Sequence, residues 1–432
     1  MKKHFKKIIV YLLIAEAKLI LLRYKPKIIA ITGSVGKTST KDAIYTVLQE
    51  FYSVRKSEKS FNSEIGLPLT ILGCQNGWSN PIVWVENLLK GLLMICMKTS
   101  YPEYLVLEVG AGKPGDIKML APWLHPDVVV LTRFPDVPVH VEFFGSVEKI
   151  IEEKTYLAMA LKEKGVLVLN HDDKAVLNVC HKVRRHTVSY GFDEHATYRA
   201  SYPVVSYVTK DNIKMPTGMS FKLEYGGNTF PVMMKNIVGV SHIYSGLVAL
   251  AVAHELGCDL LKSAQAISNY ETPCGRLSIV PGMNDSVIID DSYNASPVAM
   301  DVALDVLKSV EAKRRIAVLG DMLELGKQTE DSHKKVGIKA RYIADVLILV
   351  GPRAKFIADG ALDAGFPKKD LYVFENSITT GKFLEGIVET GDVILIKGSQ
   401  GVRLERAVES IMENKNDAKK LLCRQEKEWK NR

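Results

Sequence analysis

Residues 27–40 read KIIAITGSVGKTST, a short apolar run that leads directly into a glycine-containing loop. The apolar run predicts a buried strand over 27–32, and the stretch KDAIYTVLQEF at 41–51 predicts a helix after the loop. Glycines in such a loop let backbone N–H groups turn onto phosphate oxygens, and the helix N-terminus adds its positive dipole. The order strand, loop, helix therefore predicts a nucleotide-binding site, although kinases, GTPases and ATPases all stay open.

The loop supplies the first candidate site residues. Lys37 is placed to reach the β- and γ-phosphates of a nucleotide, and the Thr38 hydroxyl is placed to ligate Mg²⁺. A glycine-containing turn that binds nothing is the alternative, and the strand–loop–helix context favours nucleotide binding. The expected nucleotide contacts are Gly33, Ser34, Val35, Gly36, Lys37, Thr38 and Ser39.

Strand-like and helix-like segments alternate along the rest of the chain. Buried strands are predicted at 104–108, 128–132 and 166–170, with helix-length segments between them, which is the pattern of a mostly parallel sheet. From about 187 to 236, stretches such as MSFKLEYGG and TFPVMM predict antiparallel strands added to this sheet. The segment HIYSGLVALAVAHEL predicts the helix that closes the domain.

A second α/β pattern begins near residue 273. Its predicted strands are SVIIDDS, RRIAVLGD, ADVLILVG and DVILIKGS, again alternating with helices. We therefore expect an α/β fold with three parts. They are an N-terminal helix at 1–25, a central P-loop ATPase domain with a mostly parallel sheet at 26–272, and a C-terminal Rossmann-like α/β domain at 273–432.

Three further residues of the central domain are candidates for metal binding and catalysis. Glu108 ends a buried strand, where a carboxylate beside a phosphate loop is placed to hold Mg²⁺. His140 lies in the loop after the strand VVVL, and Lys154 follows fourteen residues later on a helix. Each residue alone is more often an ordinary surface or core side chain, and only their combination with the loop indicates a site.

The C-terminal domain carries a second set of polar residues at a strand end. The stretch DDSYNASP at 290–297 follows a predicted strand, and open α/β sheets bind ligands at the carboxyl ends of their strands. Arg276, near the domain boundary, has a guanidinium suited to a phosphate.

The composition is that of an ordinary globular protein, with 47% hydrophobic and 25% charged residues. Lys and Arg outnumber Asp and Glu by 57 to 49, but much of the excess lies in the two ends of the chain, which we expect to be solvated. No basic stripe interleaved with aromatic residues indicates nucleic-acid binding. The six cysteines are scattered without metal-type spacing, which suits a reducing cytoplasm.

The N-terminal stretch KKIIVYLLIA superficially resembles a signal peptide. Its apolar run is interrupted by Glu16 and Lys18 and is shorter than the roughly 20 apolar residues that span a membrane. We expect an amphipathic helix that packs on the protein, with peripheral contact to a membrane as the alternative. The apolar stripe is predicted to be Ile8, Leu12, Ala15, Leu19 and Leu22. A second apolar segment, 83–97, predicts either a buried helix or part of a hydrophobic groove.

These motifs occur in one order over residues 26–410 and resemble those of the Mur ligase family. The stretches that carry the resemblance are ITGSVGKTST, SFNSEIGLPLTIL, LEVGAGKPGDI, HVEFFGSVEKI, NHDD, DDSYNASP, VLGDMLELG and GDVILIKGS. NSEIGLP, GAGKPGDI and GDMLELG are most similar to the members that add D-alanyl-D-alanine to a muramoyl-tripeptide in peptidoglycan precursor synthesis. The resemblance implies ATP-dependent amide-bond formation through an acyl phosphate, with release of ADP and phosphate.

The same resemblance implies roles for the candidate residues. Lys37 and Thr38 would bind ATP and, with Glu108, a first Mg²⁺, while His140 would ligate a second. Lys154 matches a lysine that the family carries as a carbamate. The nucleotide contacts in the C-terminal half would be His242, Arg276, Asp291, Tyr293 and Asn294.

The sequence departs from the family pattern at several positions. The His-Asn pair of the family is His242-Ile243 here, and Ser296 replaces an asparagine. His333 matches a recurrent helix position to which no role is assigned. About 25 residues precede the phosphate-loop strand, so we expect the N-terminal domain that binds the UDP end of the substrate to be absent, moved or supplied by a partner.

Two other functions stay open. Another ligase of this family, similar to the folylpolyglutamate or cyanophycin enzymes, would share these motifs, and substrate profiling would separate the two. A nucleotide-binding partner subunit without activity of its own is the other alternative, although the intact set of Lys37, Thr38, Glu108, His140 and Lys154 argues against it. We expect a cytoplasmic monomer that uses ATP and Mg²⁺ and binds no nucleic acid.

Overall fold

The computed structural model describes residues 3–58, 61–78, 80–134, 144, 146–211, 213–425 and 429. The chain divides into two compact units. The first comprises Met1–Tyr202, Phe221–Met233 and Ile243–Tyr270, and the second comprises Pro203–Ser220, Met234–His242 and Glu271–Arg432. The domain limits drawn from the sequence stay predictions.

The helices are α1 (Lys3–Tyr24), α2 (Lys37–Leu48), α3 (Gly66–Leu72), α4 (Pro81–Cys96), α5 (Asp116–Leu124), α6 (Val147–Met159), α7 (Lys174–Leu177), α8 (Val240–Glu255), α9 (Leu260–Ala266), α10 (Pro297–Ser309), α11 (Thr329–Ala340), α12 (Lys355–Asp363), α13 (Ser377–Ile387), α14 (Glu405–Ile411) and α15 (Ala418–Leu421). The strands are β1 (Lys27–Thr32), β2 (Val54–Lys56), β3 (Tyr104–Glu108), β4 (Val128–Leu131), β5 (Val166–Asn170), β6 (His186–Gly191), β7 (Tyr198–Lys210), β8 (Ile213–Tyr225), β9 (Asn228–Lys235), β10 (Ser278–Gly282), β11 (Ser286–Asp291), β12 (Arg314–Gly320), β13 (Val346–Val350), β14 (Leu371–Phe374) and β15 (Asp392–Lys397).

The first sheet has the strand order β2-β3-β1-β4-β5-β6-β7-β8-β9. Its strands from β2 to β7 pair in parallel, and Ile31 of β1 lies opposite Glu108 of β3. β1, β3 and β4 are buried along nearly their whole length, because parallel strands are covered on both faces. Their sequences are therefore continuous apolar runs, and the strands predicted there are confirmed.

The end of this sheet differs in part from the prediction. β6 and β7 lie in the stretch predicted to be antiparallel, yet β6 pairs in parallel with β5 and β7 pairs in parallel with β6. Alternation of apolar and polar residues marks a half-exposed strand of either direction, so the pattern alone does not separate the two. β8 and β9 are joined by Gly226 and Gly227, whose φ angles of +55° and +79° suit a two-residue antiparallel hairpin.

The second sheet has the order β10-β11-β15-β12-β13-β14. β10 is antiparallel to β11, and the other pairs are parallel. Two strands of this sheet are not among the predicted ones: β10, which contains a proline and a glycine, and β14, which is short and incompletely buried. Both sheets belong to α/β layers with mostly parallel strands, which confirms the predicted fold class.

The N-terminal helix is present and packs against α3 and α4. The prediction of which of its faces is buried is wrong. The buried residues of α1 are Ile9, Leu13, Glu16, Ala17 and Ile20. The exposed residues Ile8, Leu12, Leu19 and Leu22 belong to the predicted stripe. Because α1 is apolar on both faces, its periodicity does not mark the face that packs on the protein.

The apolar segment at 83–97 forms α4. One face of α4 is buried through Trp84, Asn87, Gly91 and Met94, and the other face is exposed. Among the described residues, no helix is both long and apolar enough to cross a membrane.

Candidate active site

The phosphate loop joins β1 to α2 as predicted from the sequence. Gly33 and Gly36 have φ angles of +145° and +86°, which glycine adopts without strain. A side chain at Gly33 would also overlap the Thr132 hydroxyl that follows β4. Gly36 is the N-cap of α2, so the first amides of the helix and its positive dipole lie at the loop.

Several polar groups of the loop are held by the protein itself. The N–H groups of Ser34 and Val35 donate to the Arg133 carbonyl, with N···O distances of 2.9 and 3.4 Å. The Lys37 ammonium donates to the carbonyls of Gly33 at 3.0 Å and Ser34 at 3.3 Å. Lys37 therefore folds back over the loop, where the phosphates of a bound nucleotide are expected to lie.

Thr38 and Glu108 meet beside the loop. The Thr38 hydroxyl donates to Glu108 Oε2 at 2.8 Å, and Asn62 Nδ2 donates to Glu108 Oε1 at 3.1 Å. A hydroxyl and a carboxylate are hard oxygen ligands of the kind that Mg²⁺ takes, together with water and phosphate oxygens. The donor set fits Mg²⁺. Asn62 is not among the predicted site residues, although its stretch SFNSEIGLP is one of the motifs.

Lys154 is buried on α6 and faces the same loop. Its ammonium donates to the Gly33 carbonyl at 2.8 Å. Burial, followed by the nearby Lys37 cation, lowers the pKa of Lys154 from 10.5 to about 7. A substantial fraction of this amine is therefore neutral at neutral pH, which is unusual for a lysine.

The neighbouring Glu153 fixes the position of α6. Its carboxylate accepts hydrogen bonds from the N–H groups of Gly115, Ile117 and Lys118, at 2.7–3.1 Å, around the start of α5. A buried carboxylate at a helix N-terminus satisfies amides that have no partner within the helix, and it interacts favourably with the dipole. The contact between α5 and α6 thereby sets where Lys154 enters the site.

A cavity of about 290 Å³ opens beside these residues, inside the first unit. Lys37 and Lys154 line it on the side of the phosphate loop, and Asn62 and Asp116 line it elsewhere. Asp116 accepts from the N–H groups of Gly112 and Lys113, so it fixes the loop GAGKPGD that forms part of the wall. The cavity brings together the predicted phosphate loop and the predicted Lys154.

His140 lies outside the described residues, so its role as a metal ligand stays a prediction. Within the residues that are described, no group of three or more His, Cys, Asp and Glu side chains forms a metal site. The Thr38–Glu108 pair offers two kinds of oxygen ligand, to which phosphate oxygens and water would be added if Mg²⁺ were bound.

In the second unit, Asp291 ends β11 and is paired with Lys397 at the end of β15. Lys397 Nζ lies 2.6 Å from Asp291 Oδ2 and also donates to the Asn294 carbonyl at 2.9 Å. The Arg276 guanidinium lies 4.6 Å from the centre of the Tyr293 ring, in a cation–π contact. Four predicted nucleotide contacts, Arg276, Asp291, Tyr293 and Asn294, therefore lie at one edge of the second sheet.

His242 is buried next to this group. Its Nε2 lies 2.9 Å from the Arg276 carbonyl, and burial lowers its pKa from 6.5 to about 4. His242 is therefore a neutral imidazole, and its hydrogen bond to the carbonyl fixes the backbone of Arg276.

His333, to which the sequence assigned no role, supports the loop GDMLELG. Its Nε2 accepts from the Met322 N–H at 3.0 Å, and its Nδ1 lies 2.6 Å from the Thr329 carbonyl. These two bonds require a neutral ring with the proton on Nδ1. His333 therefore ties α11 to the loop after β12.

The C-terminal segment was expected to be solvated, and for Cys423 and Arg424 this is wrong because both are buried. The Arg424 guanidinium donates to Glu405 at 3.1 Å, to the Ser292 carbonyl at 3.4 Å and to the Tyr293 carbonyl. It also lies 5.3 Å from the centre of the Tyr293 ring. A basic terminal sequence gave no sign of this contact, because the pairing with buried Glu405 depends on the tertiary fold.

Comparison with known proteins gives the family. The Mur ligase middle domain matches residues 31–84 and 85–253, and the Mur ligase glutamate ligase domain matches residues 275–400. The chain belongs to the Mur ligase family. It is 31% identical over 400 residues to the UDP-N-acetylmuramoyl-tripeptide–D-alanyl-D-alanine ligase of Bacillus subtilis, with 92% of this chain and 78% of the relative covered. As a Mur ligase it is an ATP-dependent enzyme that forms amide bonds.

Solved structures agree with this assignment. The MurF ligase of Thermotoga maritima in complex with ADP has a TM-score of 0.73 and 25% identity, and the match covers 95% of this Mur ligase and 84% of that chain. A folylpolyglutamate synthase of Mycobacterium tuberculosis has a TM-score of 0.60 and 13% identity, with 92% and 94% covered. The second likeness shows the shared fold alone.

Proposed function

We propose that this Mur ligase joins D-alanyl-D-alanine to the peptide carboxylate of a muramoyl-tripeptide and converts ATP to ADP and phosphate. The reaction type is carried by one observation: Lys37 and Lys154 line a single cavity next to the Thr38–Glu108 pair. The choice of substrates is supported by the relative from Bacillus subtilis, whose name states the same tripeptide and dipeptide.

The proposed reaction has two steps. First, an oxygen of the tripeptide carboxylate attacks the γ-phosphorus of ATP, and the bond from that phosphorus to the ADP oxygen breaks. Second, the dipeptide amine attacks the acyl carbon, phosphate leaves with the electron pair of the C–O bond, and the nitrogen loses a proton. Because the substrates carry the reactive groups, the protein contributes mainly by positioning and by neutralising charge.

The residues of the first unit divide this work. Lys37 would neutralise the β- and γ-phosphates, and Thr38 and Glu108 would hold Mg²⁺, with His140 proposed for a second ion. Bound Mg²⁺ supplies further positive charge to the phosphoryl group during transfer. Asn62 would orient the Glu108 carboxylate through its hydrogen bond of 3.1 Å.

Lys154 is proposed to carry a carbamate. Carbamate formation needs a neutral amine, whose nitrogen bonds to the carbon of CO₂ and then loses a proton, so that a cationic side chain becomes an anion. The pKa of about 7 supports this chemistry. The anion could then help hold cations beside the phosphate loop, from the position of the present 2.8 Å contact with the Gly33 carbonyl.

The second unit is proposed to contact the nucleotide through Arg276, Asp291, Tyr293 and Asn294. Their assembly at one strand edge supports this role. His242 would act on Arg276, since its Nε2 contacts the Arg276 carbonyl. The cytoplasmic location and the monomeric state stay predictions.

The test is phosphate release from ATP in the presence of Mg²⁺, UDP-muramoyl-tripeptide and D-Ala-D-Ala, with each omitted in turn. We expect release only when both substrates are present, and a muramoyl-pentapeptide in the mass spectrum. Glu108→Gln keeps the length of the side chain but removes its charge and one of its two acceptor oxygens, so both phosphate release and pentapeptide formation should fall. Phosphate release with folate and glutamate in place of the two substrates would instead support the folylpolyglutamate alternative.

A further inference from the structure

Helices α1 and α4 present apolar faces to solvent after their buried faces have been used for packing. The exposed large apolar residues of α1 are Ile8, Tyr11, Leu12, Leu19 and Leu22, and those of α4 are Ile82, Val85, Leu89, Leu92 and Leu93. Monomeric proteins seldom leave this many aliphatic side chains together on one surface unless it binds something. We call these ten residues the α1–α4 face.

The two helices form a single packed layer. The Tyr24 hydroxyl at the end of α1 lies 2.9 Å from both the Met94 carbonyl and Thr99 Oγ1 near the end of α4. Gly91 of α4 lies so close to Glu16 of α1 that a side chain at Gly91 would overlap the Glu16 carboxylate. The α1–α4 face is therefore carried on a fixed support.

The charges around this face have one predominant sign. From Ile8 to Lys27 the chain contains four Lys and Arg residues but one acidic residue, Glu16, which is buried. The exposed cations Lys18 and Arg23 lie on α1 beside the apolar residues, and α4 and the residues that follow it add the exposed Lys90 and Lys98. Glu86 is the one acidic residue in the sequence of α4. The partner is therefore expected to combine an apolar layer with negative charge.

A lipid bilayer with anionic headgroups has this combination, because its acyl chains lie directly beneath the charges. The outward face of α4 consists mainly of aliphatic groups, which offer none of the hydrogen bonds that a protein interface normally includes. Exposed Tyr11 and Trp78 are the aromatic types that favour the interface between lipid and water. Since none of the described helices can cross a membrane, binding would be restricted to the bilayer surface.

We propose that the α1–α4 face binds the surface of an anionic lipid bilayer. The apolar side chains enter the boundary between headgroups and acyl chains, while the surrounding Lys and Arg residues contact the headgroups. This inference does not depend on the proposed substrates, because it concerns a surface formed by other residues than the cavity.

The test is co-sedimentation of the full chain with vesicles of phosphatidylglycerol or of phosphatidylcholine. We expect binding to phosphatidylglycerol, weaker binding as salt rises, and little binding to phosphatidylcholine. The double variant Leu89→Glu/Leu92→Glu should reduce vesicle binding at least about ten-fold, because it removes two apolar anchors and adds negative charge. Lys18→Gln/Arg23→Gln should weaken binding less and should reduce its salt dependence.

A matched control distinguishes loss of the face from a general effect of added glutamates. Val373 and Ile378 of the second unit are 53% and 52% exposed, close to the 50% and 54% of Leu92 and Leu89. Val373→Glu/Ile378→Glu should bind vesicles as the wild type does, and the thermal unfolding of both double variants shows whether they are folded. Wild-type protein that stays in the supernatant with phosphatidylglycerol overturns the proposal. So does a wild-type dimer, without lipid, that Leu89→Glu/Leu92→Glu converts to monomer, since a second copy would then cover the face.

Discussion

The two units place polar residues at the same structural position, the carboxyl ends of parallel strands, but use them differently. In the first unit, the loop after β1 borders a cavity that Lys37 and Lys154, from helices α2 and α6, also line. Burial lowers the pKa of Lys154 to about 7. In the second, Asp291 is already paired with Lys397, and Arg424 bridges Glu405 to the backbone of Tyr293. The first edge is therefore open to a ligand, whereas the second is largely satisfied by the protein.

This difference indicates how each edge responds to mutation. A polar group that faces a cavity contributes little to folding, so its loss should appear mainly in the reaction. A polar group inside a satisfied network leaves a buried charge or an unpaired donor when its partner is removed, so its loss should appear in stability.

The largest effect is expected for Lys154→Ala. We predict that kcat/KM for pentapeptide formation falls about 10³-fold, the scale of losing a group that acts on developing charge, while the protein stays folded. Lys149→Ala, at an exposed position of the same helix, is the control and should be near wild type. An equal loss in both variants would mean that helix α6, and not the Lys154 amine, is responsible.

The pKa of Lys154 gives this prediction a pH dependence. As pH rises through about 7, the neutral amine becomes the main form, so the carbamate signal in carbon-13 NMR with labelled bicarbonate should increase between pH 6 and 8 and be missing in Lys154→Ala. The folded-state pKa lies below the ordinary value of 10.5. The stability cost of burying this lysine is therefore full below about pH 7 and declines as pH rises towards 10.5.

In the second unit, Arg424→Met should lower the free energy of unfolding by about 3 kcal/mol, because Glu405 becomes a buried carboxylate that has lost one of its partners. Denaturant unfolding monitored by circular dichroism measures the change. Arg353→Met is the control: Arg353 is half exposed and lies 3.9 Å from Asp321, so about 1 kcal/mol or less is expected. If the two variants unfold alike, the network around Tyr293 does not stabilise the unit.

Asp290, also in the second unit, makes the stability of the protein depend on pH. It is fully buried, and burial raises its pKa from 3.8 to about 6. As pH rises, Asp290 ionises in the unfolded chain near its ordinary pKa of 3.8 but in the folded protein only near 6. The stability that the protonated carboxyl contributes is therefore lost between about pH 4 and about pH 6. Asp290→Asn cannot ionise, and its stability relative to wild type should increase across that window by up to about 3 kcal/mol.

Denaturant midpoints at pH 4, 5, 6 and 7 measure this difference. The exposed Asp359, changed to Asn, is the control and should show no such trend. A constant difference between Asp290→Asn and wild type across the window would show that Asp290 ionises with an ordinary pKa in the folded protein.

The sequence was most informative where local patterns alone determine structure. β1, β3 and β5 could be predicted because strands buried on both faces have continuous apolar sequences. The phosphate loop could be predicted because its glycines meet a local requirement of the backbone. The buried face of α1 could not, since Ile8 and Ile9 are equally apolar and only packing against α3 and α4 selects one of them.

The candidate site shows the same limit. Lys154 could be selected from motif order, but its lowered pKa depends on burial and on Lys37, over a hundred residues away in sequence. Asn62 contacts Glu108 across 46 positions, and Arg424 contacts Ser292 across 132. Such partners are determined by the tertiary fold, so a reading of local pattern does not find them.

The smallest effect is expected for His333→Gln, because His333 holds the loop after β12 as a neutral ring. The glutamine loses the paired geometry in which Nε2 accepts from Met322 and Nδ1 donates to Thr329, so the free energy of unfolding at pH 7.5 should fall by about 1 kcal/mol. Burial holds the pKa of His333 below its ordinary value of 6.5. The unfolded chain thus takes up this proton first as pH falls, and the wild type should lose stability below about pH 6.5.

The glutamine variant lacks this titration. The difference in the free energy of unfolding between the wild type and His333→Gln, measured by denaturant unfolding, should therefore become smaller from pH 7.5 to pH 5. His195 is exposed in the first unit, and His195→Gln should leave stability unchanged at both pH values. A difference in unfolding free energy that stays constant would mean that His333 has the same pKa in the folded and unfolded states and contributes only through its hydrogen bonds and packing. A difference of about 1 kcal/mol at pH 7.5 that narrows towards pH 5 would establish that the neutral form of His333 stabilises the second unit, in contrast to Lys154, whose loss should appear mainly in the reaction.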